Sequence, residues 1–196
     1  MEKKKGFTLI ELAIVLIIIG LILGMVFKGR QLIDNMKVKQ IITQYNKIYN
    51  AMLIFYERYG FWPGDGCRSA TPSGVSDCNG PKDGIIQENN IENEAFWYLL
   101  INVYGLLTPE DRWSPFGFQW KVIYSTSSFG GRFANWLDTP VYRSVDARIV
   151  CAVDKAIDDG EASTGKVVNP HNDTYDPDTD CWQLNGKEEI RLYLIP

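Results

Sequence analysis

From residue 7 to residue 27 only Thr8 and Glu11 are clearly polar. At about 1.5 Å per residue such a run spans the ~30 Å hydrocarbon core of a bilayer as a helix. The pattern then turns amphipathic. Ile41, Tyr45, Ile48, Met52, Phe55 and Tyr59 recur at alternating spacings of four and three, and Ile42, Tyr49, Leu53 and Tyr56 form a second stripe beside them. The apolar face is wider than a two-stranded seam needs and predicts a helix packed on a globular partner. No proline interrupts residues 7–62, and Gly60 with Pro63 gives a stop signal. One helix over residues 8–59, on the order of 80 Å long, is therefore expected. Beyond it, residues 93–104 predict a short helix ended by Gly105. Residues 118–124 predict a strand, and residues 189–195 a last strand. Asp138-Thr139-Pro140 has the form of a helix start, followed by helical spacing at Val150, Val153 and Ile157 and a stop at Asp158-Asp159-Gly160. The expected fold class is α+β: a long N-terminal helix, half membrane-type and half amphipathic, against a small antiparallel-sheet head.

The apolar run is preceded by Lys3-Lys4-Lys5-Gly6. A secretory signal has a shorter apolar region closed by a small-residue cleavage site. This run is longer, has no such site and passes directly into the amphipathic pattern. A plain signal anchor, basic end in the cytoplasm, accounts for the three lysines. It leaves Glu11 unexplained. A charge inside a membrane helix costs roughly 2.5–3.5 kcal/mol on insertion scales, which makes Glu11 a functional candidate.

The segment KKKGFTLIELAIVLIIIGLILG resembles the class III signal of type IV prepilins and type II secretion pseudopilins. The resemblance implies a pilin-like fold and no enzymatic activity. It implies cleavage between Gly6 and Phe7 by a prepilin peptidase, N-methylation of Phe7, and a role for Glu11 in meeting the terminal amine of a neighbouring subunit. The division that follows is a leader over 1–6, a transmembrane or filament-core helix over 7–27, an amphipathic stem over 28–60 and a head over 61–196. The partners implied are further copies in a filament, other pilins, the peptidase/methyltransferase and an inner-membrane assembly platform. The location implied is the inner membrane with a periplasmic head, then an extracellular pilus or a periplasmic pseudopilus. A type IV pilus subunit is the leading expectation. A secretion pseudopilin and a low-copy pilin with an adhesive or partner-binding head are the alternatives. Many family members carry a helix-breaking proline where this chain has Lys28, so any local melting here relies on Gly20, Gly24 and Gly29. In the head, Pro63-Gly64-Asp65, the stretch Glu94-Ala95-Phe96-Trp97-Tyr98-Leu99-Leu100 and Ile157-Asp158-Asp159-Gly160 resemble a recurrent subset of exported pilin-like proteins.

Charge adds a polarity to this picture. The net charge of −4 becomes −6 once Glu2 and the three leader lysines are removed. Residues 28–60 carry +4 and residues 61–196 carry −9. Staggered copies would therefore attract head to stem, unless both are simply solvated faces. The acidic head argues against direct nucleic-acid binding. All six tryptophans lie beyond residue 60, so the head has an apolar core to build.

Four cysteines, Cys67, Cys78, Cys151 and Cys181, fit disulfides in an exported domain. Three connectivities are possible; Cys67–Cys78 closes a short loop and leaves Cys151–Cys181. Close ligand pairs for zinc are absent. Asp173, Asp176, Asp178 and Asp180 crowd one loop and are calcium candidates by their oxygen ligands, with a solvated acidic turn as the alternative. His171, the single histidine, sits in an Asn/Asp/Pro loop and supports no nucleophile system; no phosphate-binding loop is present, and Asp158-Asp159 reads as turn chemistry.

Overall fold

The computed structural model describes residues 8–86, 90–126, 133–139, 144–170 and 175–195. The chain divides into two compact units, Met1–Lys37 and Val38–Pro196.

Helix α1 runs Leu9–Tyr59, 51 residues without a break. It ends where Gly60 takes φ +79° and its N–H bonds the Tyr56 carbonyl at 2.7 Å, a left-handed stop that favours glycine. In the first unit the large apolar side chains of α1 are exposed from Leu9 to Val26, as are Leu32, Ile33 and Met36. Burial begins at Val38. It follows Ile41, Tyr45, Ile48, Met52 and Phe55, with Gln44 and Ala51 filling the same stripe. Of the second stripe, Ile42 and Tyr49 are half-buried against the core, whereas Tyr56 is exposed and stacks on Trp62 at 4.0 Å.

The second unit lays a four-stranded antiparallel sheet against this stripe. Its strands are β1 (Lys121–Thr126), β2 (Phe133–Asp138), β4 (Val167–Val168) and β6 (Arg191–Ile195), in the order β1-β2-β6-β4. β3 (Val145–Asp146) and β5 (Lys187–Glu188) form a separate two-stranded ladder. Trp136 of β2 stands opposite Ile123 and Tyr193, and a bulge at Asn135/Trp136 shifts the register toward β6. One sheet face sends Val122, Leu137, Leu192 and Leu194 into the core shared with α1. The other gathers Ile123, Ala134, Trp136 and Val168 beside Tyr193. Helix α2 (Asn90–Tyr98) widens into a π-turn over Leu99–Val103, and it starts three residues before the expected 93. Helix α3 (Ala147–Ile157) packs Ile149, Val150 and Val153 into the core.

One expectation is overturned. Asp138 does not open a helix. It ends β2, opposite Lys121 and Arg191, and its carboxylate meets the Arg191 guanidinium at 3.2 Å. The ion pair and the ladder outcompete the cap. The helix starts nine residues later, where Asp146 caps the Arg148 N–H at 3.0 Å.

If the α1 stripe carries the head's core, Phe55→Ala should cost about 3–5 kcal/mol. Ile54→Ala, at a residue 51% exposed, should stay within about 0.5 kcal/mol. Denaturation of the full chain in detergent, followed by tryptophan fluorescence, separates the two; equal costs would contradict the packing described.

Candidate functional site

Two features of α1 stand out: a capped, exposed apolar end, and a set of polar side chains that bond α1 to the rest of the second unit. Gly6 and Phe7 lie outside the described residues. Thr8 is the first described residue and stands just before the helix. Its N–H donates to Glu11 Oε2 at 2.8 Å, its hydroxyl donates to the same oxygen at 2.8 Å, and the Glu11 N–H returns a bond to Thr8 Oγ1 at 3.4 Å. Thr8-x-x-Glu11 is thus a reciprocal capping box, and it satisfies two N–H groups the first turn would otherwise leave bare. The positive end of the helix dipole favours a carboxylate here. Expectation placed Glu11 against a neighbouring chain; in the structure its own chain uses one of its oxygens. A Cβ at Gly20, Gly24 or Gly29 would meet nothing within 4 Å. Among the described residues α1 is one helix long and apolar enough to cross a membrane.

Where the head meets the stem, Gln44 is buried and uses its whole amide. Its Nε2 donates to the Trp113 carbonyl at 2.6 Å and to the Asp111 carbonyl at 3.3 Å, while Oε1 accepts from Trp120 Nε1 at 3.1 Å. One turn on, Lys47 pairs with the Asp111 carboxylate at 2.6 Å. Burial raises the Asp111 carboxyl, but its bonds from Lys47 and Thr108 outweigh that and hold it below the usual range. Tyr45 donates its hydroxyl to the Tyr193 carbonyl at 2.6 Å, and burial pushes this phenol up to about 12. The sequence pattern marked Tyr45 as core. It gave no sign of Gln44, whose only trace was a polar residue within the buried arc.

The Pro63-Gly64-Asp65-Gly66-Cys67 turn is wholly buried. Gly64 has φ +88°, and a Cβ there would lie 2.4 Å from the Glu92 carbonyl, so the turn docks on the start of α2 only as glycine. Cys67 is joined to Cys78, and Lys82 crosses the closed loop to donate to the Asp65 carbonyl at 2.6 Å and to the Cys78 carbonyl. Cys151 is joined to Cys181, tying α3 to the 3₁₀ turn Cys181–Gln183.

The acidic candidates are engaged locally. Asp176 accepts from the Thr179 hydroxyl at 2.7 Å and the Asp178 N–H at 3.0 Å. Asp180 caps its turn through the Trp182 N–H at 3.1 Å and Gln183 Nε2 at 3.0 Å. Asp178 is exposed; Asp173 and His171 lie outside the described residues. The tighter grouping is Asp154, Asp158 and Asp159, whose carboxylates come within 4.8 Å of one another. Each serves its own loop: Asp158 accepts from the Val167 N–H at 2.8 Å, Asp159 from the Thr164 hydroxyl at 2.7 Å, and Asp154 from the Tyr175 hydroxyl at 2.9 Å and the Gly160 N–H at 3.0 Å. Asp154 is fully buried, and burial pushes its carboxyl up to about 7.

A raised acid binds its proton more tightly folded than unfolded, so the folded state loses stability as pH climbs from about 4 toward 7 through this group. Asp154→Asn should flatten the fall over that window relative to the parent chain. Denaturant midpoints at several pH values test this, and two parallel pH curves would remove Asp154 as their source. At the stem, Gln44→Leu strands the Trp120 N–H and two carbonyls and should cost about 1–3 kcal/mol in the same measurement.

A family model described as the prokaryotic N-terminal methylation motif matches residues 1–27. No curated protein matches. Among solved structures, the chain is similar to the major Type IV pilin PilA1 from Clostridium difficile, at 15% identity and a TM-score of 0.39, over 84% of this chain and 98% of that one. The basic Lys3-Lys4-Lys5-Gly6 stretch, the exposed apolar run and its Thr8–Glu11 cap therefore sit within a recognised unit: residues 1–27 of this chain carry the prepilin-type N-terminal methylation motif.

Proposed function

We propose that the chain is a structural subunit of a type IV pilus. On this reading residues 1–6 are a leader removed after Gly6, and Phe7 becomes the N-methylated terminus. Residues 7–27 anchor the chain in the inner membrane and later pack in the filament core. Residues 28–60 are the stem, and the disulfide-closed head over 61–196 faces the periplasm and then the outside. The observation that carries the reading is the match of the methylation motif to residues 1–27, on a helix whose apolar side chains are exposed from Leu9 to Val26. A surface of that size stays out of water only in lipid or against other helices.

The chemistry of assembly follows from Glu11. Its capping bonds both fall on Oε2. Oε1 is left to take a neighbouring copy's terminal ammonium, and the two charges offset one another where the dielectric is low. That contact sets the axial stagger, while the apolar faces supply most of the contact area. The work of the protein is thus packing and charge pairing, with no reaction of its own.

The test is mass spectrometry of the N-terminus from sheared surface filaments. The expected terminus is methylated Phe7, and the chain should dominate the sheared fraction; a minor presence there would favour a pseudopilin or a low-copy pilin. An intact Met1, or a cut elsewhere, overturns the reading. Glu11→Ala should be cut normally and yield few filaments, and normal filament numbers would remove the proposed pairing.

A further inference from the structure

Tyr45, Asn46 and Tyr49 of α1 and Ile157, Lys166 and Tyr193 of the head line an open groove of about 210 Å³. Its walls are set. The Tyr45 and Tyr49 rings stand 6.0 Å apart, and Tyr45 is tethered through its hydroxyl to the Tyr193 carbonyl. At one end Ile157 leads into the turn 158–161. The turn 176–180 lies against it, since a Cβ at Gly160 would be 3.6 Å from Pro177 Cα. Together the two turns bring six carboxylates, Asp158, Asp159, Glu161, Asp176, Asp178 and Asp180, beside two lysines. One of these, Lys155, spends its ammonium on the Pro177 carbonyl at 2.7 Å and the Thr179 carbonyl. The other, Lys166, lines the groove itself. An occupant must therefore be partly apolar and carry more positive charge than Lys166 repels.

The chain itself holds such a segment. Within residues 28–36 the side chains of Leu32, Ile33 and Met36 are 62%, 55% and 61% exposed. Lys28 and Arg30 are exposed beside them, and Asp34 is the single acid in the stretch. A methionine packs well on aromatic rings, and paired opposite charges at the rim fix the register of a docked helix. We infer that the tyrosine groove seats residues 28–36 of a second copy, with Met36 toward Tyr45 and Tyr49 and with Lys28 and Arg30 toward the acidic turns. This rests on the filament reading above and names a contact within it. The segment and the groove are different surfaces of the same chain, so the contact is heterologous. Repeated from copy to copy, such a contact runs on as an open helical filament wherever its rotation does not close a ring.

The test uses the full-length chain expressed in its own host. Both native cysteine pairs are closed and no free cysteine is present, so Met36→Cys combined with Asn46→Cys adds the only thiols. Oxidation of sheared filaments should give a ladder of cross-linked copies, and either cysteine alone should give none. Separately, Lys28→Glu with Arg30→Glu should lower filament yield roughly ten-fold, and adding Glu161→Lys with Asp178→Lys should restore it. Intact filaments without the cross-link, and with yield indifferent to the charge reversals, overturn the groove contact and leave the filament reading standing. Absence of surface filaments from the unaltered chain overturns both.

Discussion

Hydrophobic burial along α1 is the constraint on which everything else rests, because one helix presents two different apolar surfaces. Residues 9–26 are, Glu11 aside, apolar all round and exposed; residues 38–55 are apolar on one stripe that is buried. The first surface has no cover within its own unit and needs another solvent than water. The second is covered by the sheet, α2 and α3, with Trp97, Trp120 and Phe55 among its largest buried side chains. An all-round apolar helix asks for lipid or other helices, while a striped one asks for a globular partner. The boundary falls at Val38, eleven residues after the apolar run ends at residue 27, and the intervening stretch mixes Lys28 and Arg30 with exposed Leu32, Ile33 and Met36.

Hydrophobic area alone leaves the head free to slide along the stem, since one apolar stripe resembles itself a turn further on. The polar bonds remove that freedom. Gln44 meets two carbonyls and an indole N–H, Tyr45 meets a carbonyl, and Lys47 meets Asp111, within one turn of helix. Moving the head by a turn would strand the buried Gln44 and Tyr45 groups in the interior, where an unpaired polar group costs more than a made bond contributes. Register is therefore held by few atoms, and stability by many.

The stem was legible because its two periodicities are strong and no proline breaks them. The strand β6 was legible because Leu192 and Leu194 alternate with half-buried residues. The strand β2 was not, since Ala134, Asn135, Trp136, Leu137 and Asp138 are all buried, and a strand covered on both faces has no alternation to read. Asn135 looks polar in sequence but sits in the core, accepting from the Ile86 N–H at 2.7 Å and donating to the Gly84 carbonyl at 2.8 Å. Asp138 carried the same signal as a helix cap, and the β-ladder together with the distant Arg191 decides otherwise. The candidate site divides the same way. Glu11 stood out against its apolar neighbours, whereas Gln44 is one glutamine among several polar residues on an amphipathic helix. Asp154 was hidden inside α3, because nothing local marks a carboxylate whose partners are Tyr175 and Gly160.

The capping box at Thr8 changes how a charge within an apolar run should be weighed. Viewed as a bare carboxylate, Glu11 is a penalty that only a partner chain could offset. With the Thr8 N–H and hydroxyl on Oε2, part of its hydrogen-bonding capacity is already met within the chain. The helix dipole supplies further compensation where the first N–H groups converge. A single copy can then hold the carboxylate at an acceptable cost before any neighbour arrives. On the filament reading proposed above, a neighbour's ammonium at Glu11 meets a carboxylate already partly satisfied within its own chain, so the net gain per contact is modest. On that reading, the strength of the assembly comes from the apolar surface along residues 9–26, and the Glu11 pairing adds a preference for one stagger.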